Sequence, residues 1–138
     1  PAKHRGFSMI RLVLSLPPSM NRLWRSTKGG TVYRSPKYTE WRTPAIWQVA
    51  VQAKGRKIVG PYKLTMEVVR PDKRKRDLDN LLKAASDALV GAGILEDHHC
   101  EWIDARWVTE GPECVLVVQG MSELIDCAEA WGKEDGNI

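Results

Sequence analysis

The spacing of apolar residues changes several times along this chain, and each change marks an expected element. Residues 9–16 (Met-Ile-Arg-Leu-Val-Leu-Ser-Leu) are branched, apolar and partly alternating, which predicts a first strand ended by Pro17-Pro18. Residues 19–34 contain Asn21, Lys28, Gly29 and Gly30 and read as a loop carrying Trp24, Tyr33 and four basic side chains. Ser35-Pro36 looks like a cap and a first helical proline, after which Trp41, Ala45, Val49 and Ala53 recur at helical spacing. Pro44 lacks a backbone N–H, so this helix is expected to kink there or to start there with Thr43 as cap; Gly55 ends it.

Further along, residues 62–69 alternate Leu64, Met66 and Val68 with Lys63, Thr65 and Glu67, the period of a strand with one buried face, closed by Pro71. Leu81, Leu82, Ala85, Ala88, Leu89 and Ala92 then form an apolar stripe predicting a helix over 79–92, with Asp79 as N-cap and Gly91 and Gly93 near its end. Two β-prone runs, 102–109 and 114–119, flank Glu110-Gly111-Pro112-Glu113 and read as a hairpin. Residues 1–8 read as a loose extension, 9–120 as the folded domain, and 121–138 as a short helix with a frayed tail. The expected class is α+β, with helices packed on a mixed sheet.

Composition adds limits. A length of 138 residues, 43% hydrophobic and 28% charged, fits one globular domain and excludes wholesale disorder. The 21 Lys and Arg against 17 Asp and Glu give a formal charge of +4, which suits a polyanionic partner. That charge is segregated: five of the seven residues 70–76 are basic, whereas residues 123–138 carry five acids against one Lys. Cys100, Cys114 and Cys127 are widely spaced with no Cys-x-x-Cys pair, which argues against a disulfide framework and for a reducing, cytoplasmic compartment. No apolar run approaches the length of a membrane span, and no signal-peptide core follows the basic residues Lys3, His4 and Arg5.

Candidate chemistry gathers where the basic run ends. Asp79, Lys83 and Asp87 are four residues apart in turn, hence on one side of the predicted helix, and Asp77 lies just upstream. If residues 77–79 are still extended, Asp77 and Asp79 point the same way. Two close carboxylates repel unless a cation joins them, so this pair, with Asp97 beyond the helix, reads as a magnesium site. Such an ion suits phosphodiester cleavage, acidifying a water and polarising the phosphate, with Lys83 neutralising the charge that builds up. The same residues also read as a helix cap followed by a ladder of ion pairs, and the basic run as a solvated turn.

The stretch Pro71-Asp72-Lys73-Arg74-Lys75-Arg76-Asp77-Leu78-Asp79-Asn80-Leu81-Leu82-Lys83-Ala84-Ala85-Ser86-Asp87-Ala88-Leu89 resembles the signature of the RusA family of Holliday-junction endonucleases, often carried by prophages. Leu16-Pro17-Pro18-Ser19-Met20-Asn21-Arg22 is similar to the family's N-terminal motif, and the likeness extends over residues 9–119. The resemblance implies that Asp77, Asp79 and a third acid after the helix bind Mg2+, with Mn2+ as an alternative ion, and that Lys83 is needed for cleavage. Family members place two adjacent aspartates there, whereas this chain reads Leu95-Glu96-Asp97-His98-His99-Cys100. Ungapped register puts His98 at the catalytic place; the nearest short carboxylate is Asp97, which is expected to be the third ligand, with His98 as the other candidate. A zinc site of His98, His99 and Cys100 is disfavoured, because adjacent side chains do not readily converge on one tetrahedral ion.

Asp87, about two turns and roughly 12 Å from Asp79, is expected to support the ligands from behind. Arg70, Lys73, Arg74, Lys75, Arg76, Asn21, Arg22 and Lys28 are expected to meet DNA, and Trp24 to stack on splayed bases. The resemblance further implies a homodimer acting on four-way junction DNA and leaving 5′-phosphates. Paired nicks need two equivalent sites, which a two-fold dimer supplies. A non-catalytic nucleic-acid binding module and a metal-dependent nucleotide phosphohydrolase are the competing classes: the first binds without cutting, the second needs no long basic loop.

Overall fold

The alternating run at 62–69 becomes the strand around which the rest is organised. In the computed structural model, which describes residues 9–19, 36–73 and 77–121, together with the backbone of 24–26 and 32–34, this strand pairs on both edges. Residues 1–8 and 122–138, expected as an extension and as a helix with a tail, lie outside the described residues. The elements are β1 (Met9–Leu14), β2 (Trp24–Ser26), β3 (Val32–Arg34), α1 (Pro36–Ala53), β4 (Tyr62–Val69), α2 (Leu78–Gly91), a 3₁₀ turn (Asp97–His99), β5 (Cys100–Val108) and β6 (Cys114–Gly120). The fold is α+β: among the described residues, a mixed four-stranded sheet in the order β1-β6-β4-β5 with the helices α1 and α2. Among the described residues no helix is long and apolar enough to cross a membrane.

One face of the sheet builds the core. Ile10, Leu12 and Leu14 of β1, Tyr62, Leu64, Met66 and Val68 of β4, and Cys114, Leu116 and Val118 of β6 are buried at every second position. Ala45, Val49 and Ala53 of α1 and Leu81, Ala85, Ala88 and Leu89 of α2 belong to the same cluster. Small residues on α2 let α1 approach closely: a Cβ added at Gly91 would lie 2.7 Å from Ile46 Cδ1.

The expected hairpin of the last two strands does not form. β5 runs parallel to β4, to which α2 connects it, while β6 runs antiparallel to β4 on its other edge. The reason lies in burial. β6 is buried along most of its length and lies between β1 and β4, where both its edges are paired, whereas β5 is largely exposed and takes the sheet edge. The loop expected at 19–34 also contains structure, since β2 and β3 pair antiparallel. Strands of three residues are too short to show a period of two.

α1 settles the alternatives raised by its proline: it starts at Pro36 and runs through Pro44. Burial of Tyr38, Ala45, Val49 and Ala53 outweighs the lost backbone bond, and Lys54 and Gly55, both with positive φ, stop the helix. From α1, Gln52 satisfies the open edge of β1: its Oε1 accepts from Val13 N at 2.7 Å and its Nε2 donates to Val13 O at 2.8 Å.

Candidate metal centre and DNA-facing residues

At its N-terminus, α2 begins at Leu78, so the N-cap is Asp77 and not Asp79. Asp77 is extended (φ −90°, ψ 118°) and makes no side-chain cap bond, whereas Asp79 is already helical in the first turn. The expectation that the two carboxylates share a side through strand alternation therefore does not apply. Instead Asn80 closes the start of the helix: its N–H donates to Asp77 O at 3.2 Å and its Nδ2 to Asp77 Oδ2 at 3.3 Å. Helix formation thus reaches back to Leu78, and Asp79 sits where the helix dipole favours a negative charge.

Asp77, Asp79 and Lys83 are all exposed. Asp79 and Lys83 make no hydrogen bond or ion pair with another described residue, so the ladder of ion pairs read from their spacing is absent among the described residues. Asp87, two turns on, is engaged. Its Oδ2 accepts from the Tyr38 hydroxyl and from Arg42 Nε at 2.8 Å, both on α1. The carboxylate expected behind the metal ligands therefore ties the two helices together.

Beyond α2 the backbone is tightly directed. Gly93 adopts φ +75° and its N–H donates to Val90 O at 2.9 Å, while Ile94 N–H reaches back to Leu89 O at 3.4 Å. This pair of bonds is a Schellman ending, which needs a residue tolerant of positive φ. Ile94 O then accepts from Ile58 N at 2.8 Å, and Ile94 and Leu95 are buried, so the following turn leaves a fixed point.

That turn carries Asp97, His98 and His99. Asp97 is exposed and its Oδ1 accepts from Ser86 Oγ at 3.3 Å. Ser86 shares the helix face of Asp79 but lies roughly 10 Å farther along the axis. Asp77, Asp79 and Asp97 accordingly do not form a group with ligand atoms within 4.8 Å; among the described residues, Glu96, His98 and His99 do. His98 and His99 thus converge despite being adjacent, but on Glu96 and without Cys100. Sequence reading missed Glu96; the signal was its spacing of two and three residues from the imidazoles, which a tight turn brings to one side.

Cys100 is half-buried, and burial pushes its thiol up from 9.0. Burial, the neighbouring Cys100 thiol and the Asp97 charge push the Tyr62 hydroxyl far above 10.0; it is buried with no hydrogen-bond partner among the described residues. Burial, then the Glu113 charge, raises Cys114 to about 12.

Of the residues expected to meet DNA, Arg70 lies with its guanidinium carbon 4.3 Å from the Trp107 ring centroid, and Lys73 is exposed. Arg74, Lys75, Arg76, Asn21, Arg22 and Lys28 lie outside the described residues, and Trp24 is described by its backbone alone. The sequence reading did not anticipate Lys63, whose ammonium stands 3.9 Å over the exposed Trp102 ring on β5.

Residues 15–118 match the family model described as Endodeoxyribonuclease RusA. The chain is 36% identical over 112 residues to the crossover junction endodeoxyribonuclease RusA of Aquifex aeolicus (strain VF5), covering 78% of this chain and 88% of that protein. It is 39% identical over 89 residues to the protein of the same name from Enterobacteria phage HK97, covering 63% and 72% of the two chains. With its counterpart in Escherichia coli (strain K12) it shares 34% identity over 99 residues, covering 72% and 76%. The family match spans both the acidic start of α2 and the turn that follows its end, and the chain belongs to the RusA family of endodeoxyribonucleases.

Proposed function

We propose that this chain is a structure-specific DNA endonuclease that resolves four-way junctions by paired, symmetric nicks, using Mg2+ held at the start of α2. The observation that carries this reading is a pair of exposed carboxylates, Asp77 and Asp79, with exposed Lys83 one turn on. Neither Asp79 nor Lys83 is committed to a described neighbour. Oxygen donors open to solvent fit Mg2+, which takes few carboxylates and keeps water and phosphate oxygen in its remaining positions. When bound, such an ion polarises the scissile phosphate and acidifies the attacking water.

The chain's own residues do the rest. Asp77 and Asp79 hold the cation, and the first turn of α2 keeps Asp79 in place. Lys83 balances charge on the phosphate as the bond to the leaving oxygen lengthens, which leaves a 5′-phosphate. Asp97, bonded to Ser86 on the Asp79 side of α2 but farther along the helix axis, and His98 beside it are the further donors that the loop offers towards this site. Arg70 and Lys73 begin the basic segment that meets phosphates, with Arg74, Lys75 and Arg76 continuing it. Two protomers related by a two-fold axis supply one site for each strand to be cut.

The test uses a labelled immobile four-way junction, a linear duplex and a single strand, each with and without Mg2+. Wild-type protein should nick the junction symmetrically and only with the metal. Asp79→Asn should abolish nicking while junction binding in Ca2+ or EDTA persists. Full activity of Asp79→Asn would remove the site from α2, and junction binding without any metal-dependent cut by wild type would make the protein a binding module.

A further inference from the structure

The turn after α2 holds three donor atoms that the proposed nuclease site does not use together. His98 Nε2 and His99 Nε2 lie 3.4 and 3.5 Å from the same atom, Glu96 Oε2. Two ligands each about 2.1 Å from a tetrahedral ion are separated by about 3.4 Å, the edge of the tetrahedron. The rings of the two histidines stand 4.1 Å apart at their centroids, tilted by 40°. A simple ion pair accounts for one imidazole at a carboxylate oxygen. Two imidazoles on one oxygen would repel each other if both were protonated, and a shared cation relieves that conflict.

The backbone prepares this convergence. Glu96 is the N-cap of the 3₁₀ turn, and His99 N–H donates to Glu96 O at 3.1 Å, which brings positions 96 and 99 to one side. Before the turn, Ile94 and Leu95 are buried; after it, Cys100 enters β5. Glu96 and His99 also line the edge of a cleft of about 410 Å3 that includes Lys57, Val59 and Leu95, so an ion has access from solvent.

We propose that Glu96, His98 and His99 form a binding site for a borderline divalent ion of the zinc class, separate from the carboxylates at the start of α2. Two imidazole nitrogens and one carboxylate suit zinc, cobalt or nickel better than magnesium, which prefers oxygen, and three protein ligands leave a fourth position to water. Asp97 lies between two of the ligands in sequence, so an ion held there fixes the segment that presents Asp97 to Ser86 of α2. An effect of this ion on nicking rests on the function proposed above; its binding does not.

The test is a titration of the metal-stripped full chain with Zn2+ by calorimetry and with Co2+ by visible absorption. Wild type and Asp77→Asn/Asp79→Asn should each bind one ion per chain, with the intense cobalt bands of a low-coordinate site. His98→Ala/His99→Ala and Glu96→Gln should each bind more weakly by at least roughly ten- to a hundredfold, the loss typical even for a supporting contact. Glu96 and His98 are 68% and 72% exposed, so Glu96→Gln and the single variant His98→Ala should leave the metal-free melting curve unchanged. Absence of binding by wild type would overturn the site, as would undiminished binding by the double histidine variant. Binding lost in Cys100→Ser but kept in the histidine variant would move the ion to the thiol and overturn it too. Loss of zinc binding in Asp77→Asn/Asp79→Asn would merge the two sites. Retained nicking by Asp79→Asn with zinc binding intact would strike only the assignment of the nuclease site to the start of α2.

Discussion

Asp79 and Asp87 lie two turns apart on one side of α2, and the same side chain does different work at the two places. Asp79 is exposed and meets no described partner. Asp87 is bound by Tyr38 and Arg42 of α1. The difference is made by α1, whose Tyr38 and Arg42 reach Asp87 and whose Ile46 approaches Gly91, whereas Asp79 in the first turn is exposed and meets no partner among the described residues. A carboxylate is available for chemistry where nothing packs over it, and it becomes a structural clamp where a buried tyrosine and an arginine reach it.

The largest expected effect lies at the bare end. Lys83→Ala should lower Mg2+-dependent junction nicking by roughly 10²- to 10³-fold, as for other transition-state donors, with stability changed by less than about 0.5 kcal/mol. Single-turnover cleavage and urea unfolding measure the two; an unaltered rate would take Lys83 out of the site. The clamp should show the opposite pattern. Asp87→Asn should cost about 1.5–3 kcal/mol in urea unfolding, the range for hydrogen bonds to a charged group, and leave the nicking rate per folded molecule largely intact. If it kept full stability but lost cleavage, the contrast between the two aspartates would be reversed.

A smaller effect is expected where α2 hands the chain to the histidine turn. Gly93→Ala forces a Cβ into positive φ and should destabilise by about 1 kcal/mol or more, with weakened zinc binding as the turn shifts. Unchanged stability would mean that the Schellman ending is not needed to hold the turn.

The smallest effect concerns pH. Cys114 is held up to about 12 by burial, against an ordinary value of 9.0. Above pH 9 the unfolded thiol releases its proton while the folded one keeps it, so the unfolded chain binds fewer protons and stability falls. This contribution is complete below 9.0 and is lost as pH rises towards about 12. Thermal melts across that window should drop less steeply for Cys114→Ala than for wild type, after allowing for its lower overall stability; equal slopes would assign alkaline unfolding to other groups.

Much of the architecture is local and was readable without coordinates. Strict alternation at Leu64, Met66 and Val68 and the stripe from Leu81 to Leu89 report which face of each element is buried, because a side chain's face follows from backbone period alone. The acids, the lysine and the basic run were visible for the same reason: their proximity is set by helical rise. Pairing is different. That β6 lies between β1 and β4, and not beside β5, depends on which strand can bury both edges, a property of the whole sheet.

Commitment of side chains is likewise decided in three dimensions. Nothing in the spacing of Asp79, Lys83 and Asp87 distinguishes them; the approach of α1 engages one, and the other two have no partner among the described residues. Glu96 joins His98 and His99 only because the end of α2 and the start of β5 fix both sides of a tight turn. The sequence by itself determined which residues share a face and which chemistry they carry. Only the tertiary structure decided which of them are free to act, because that depends on groups distant in the chain.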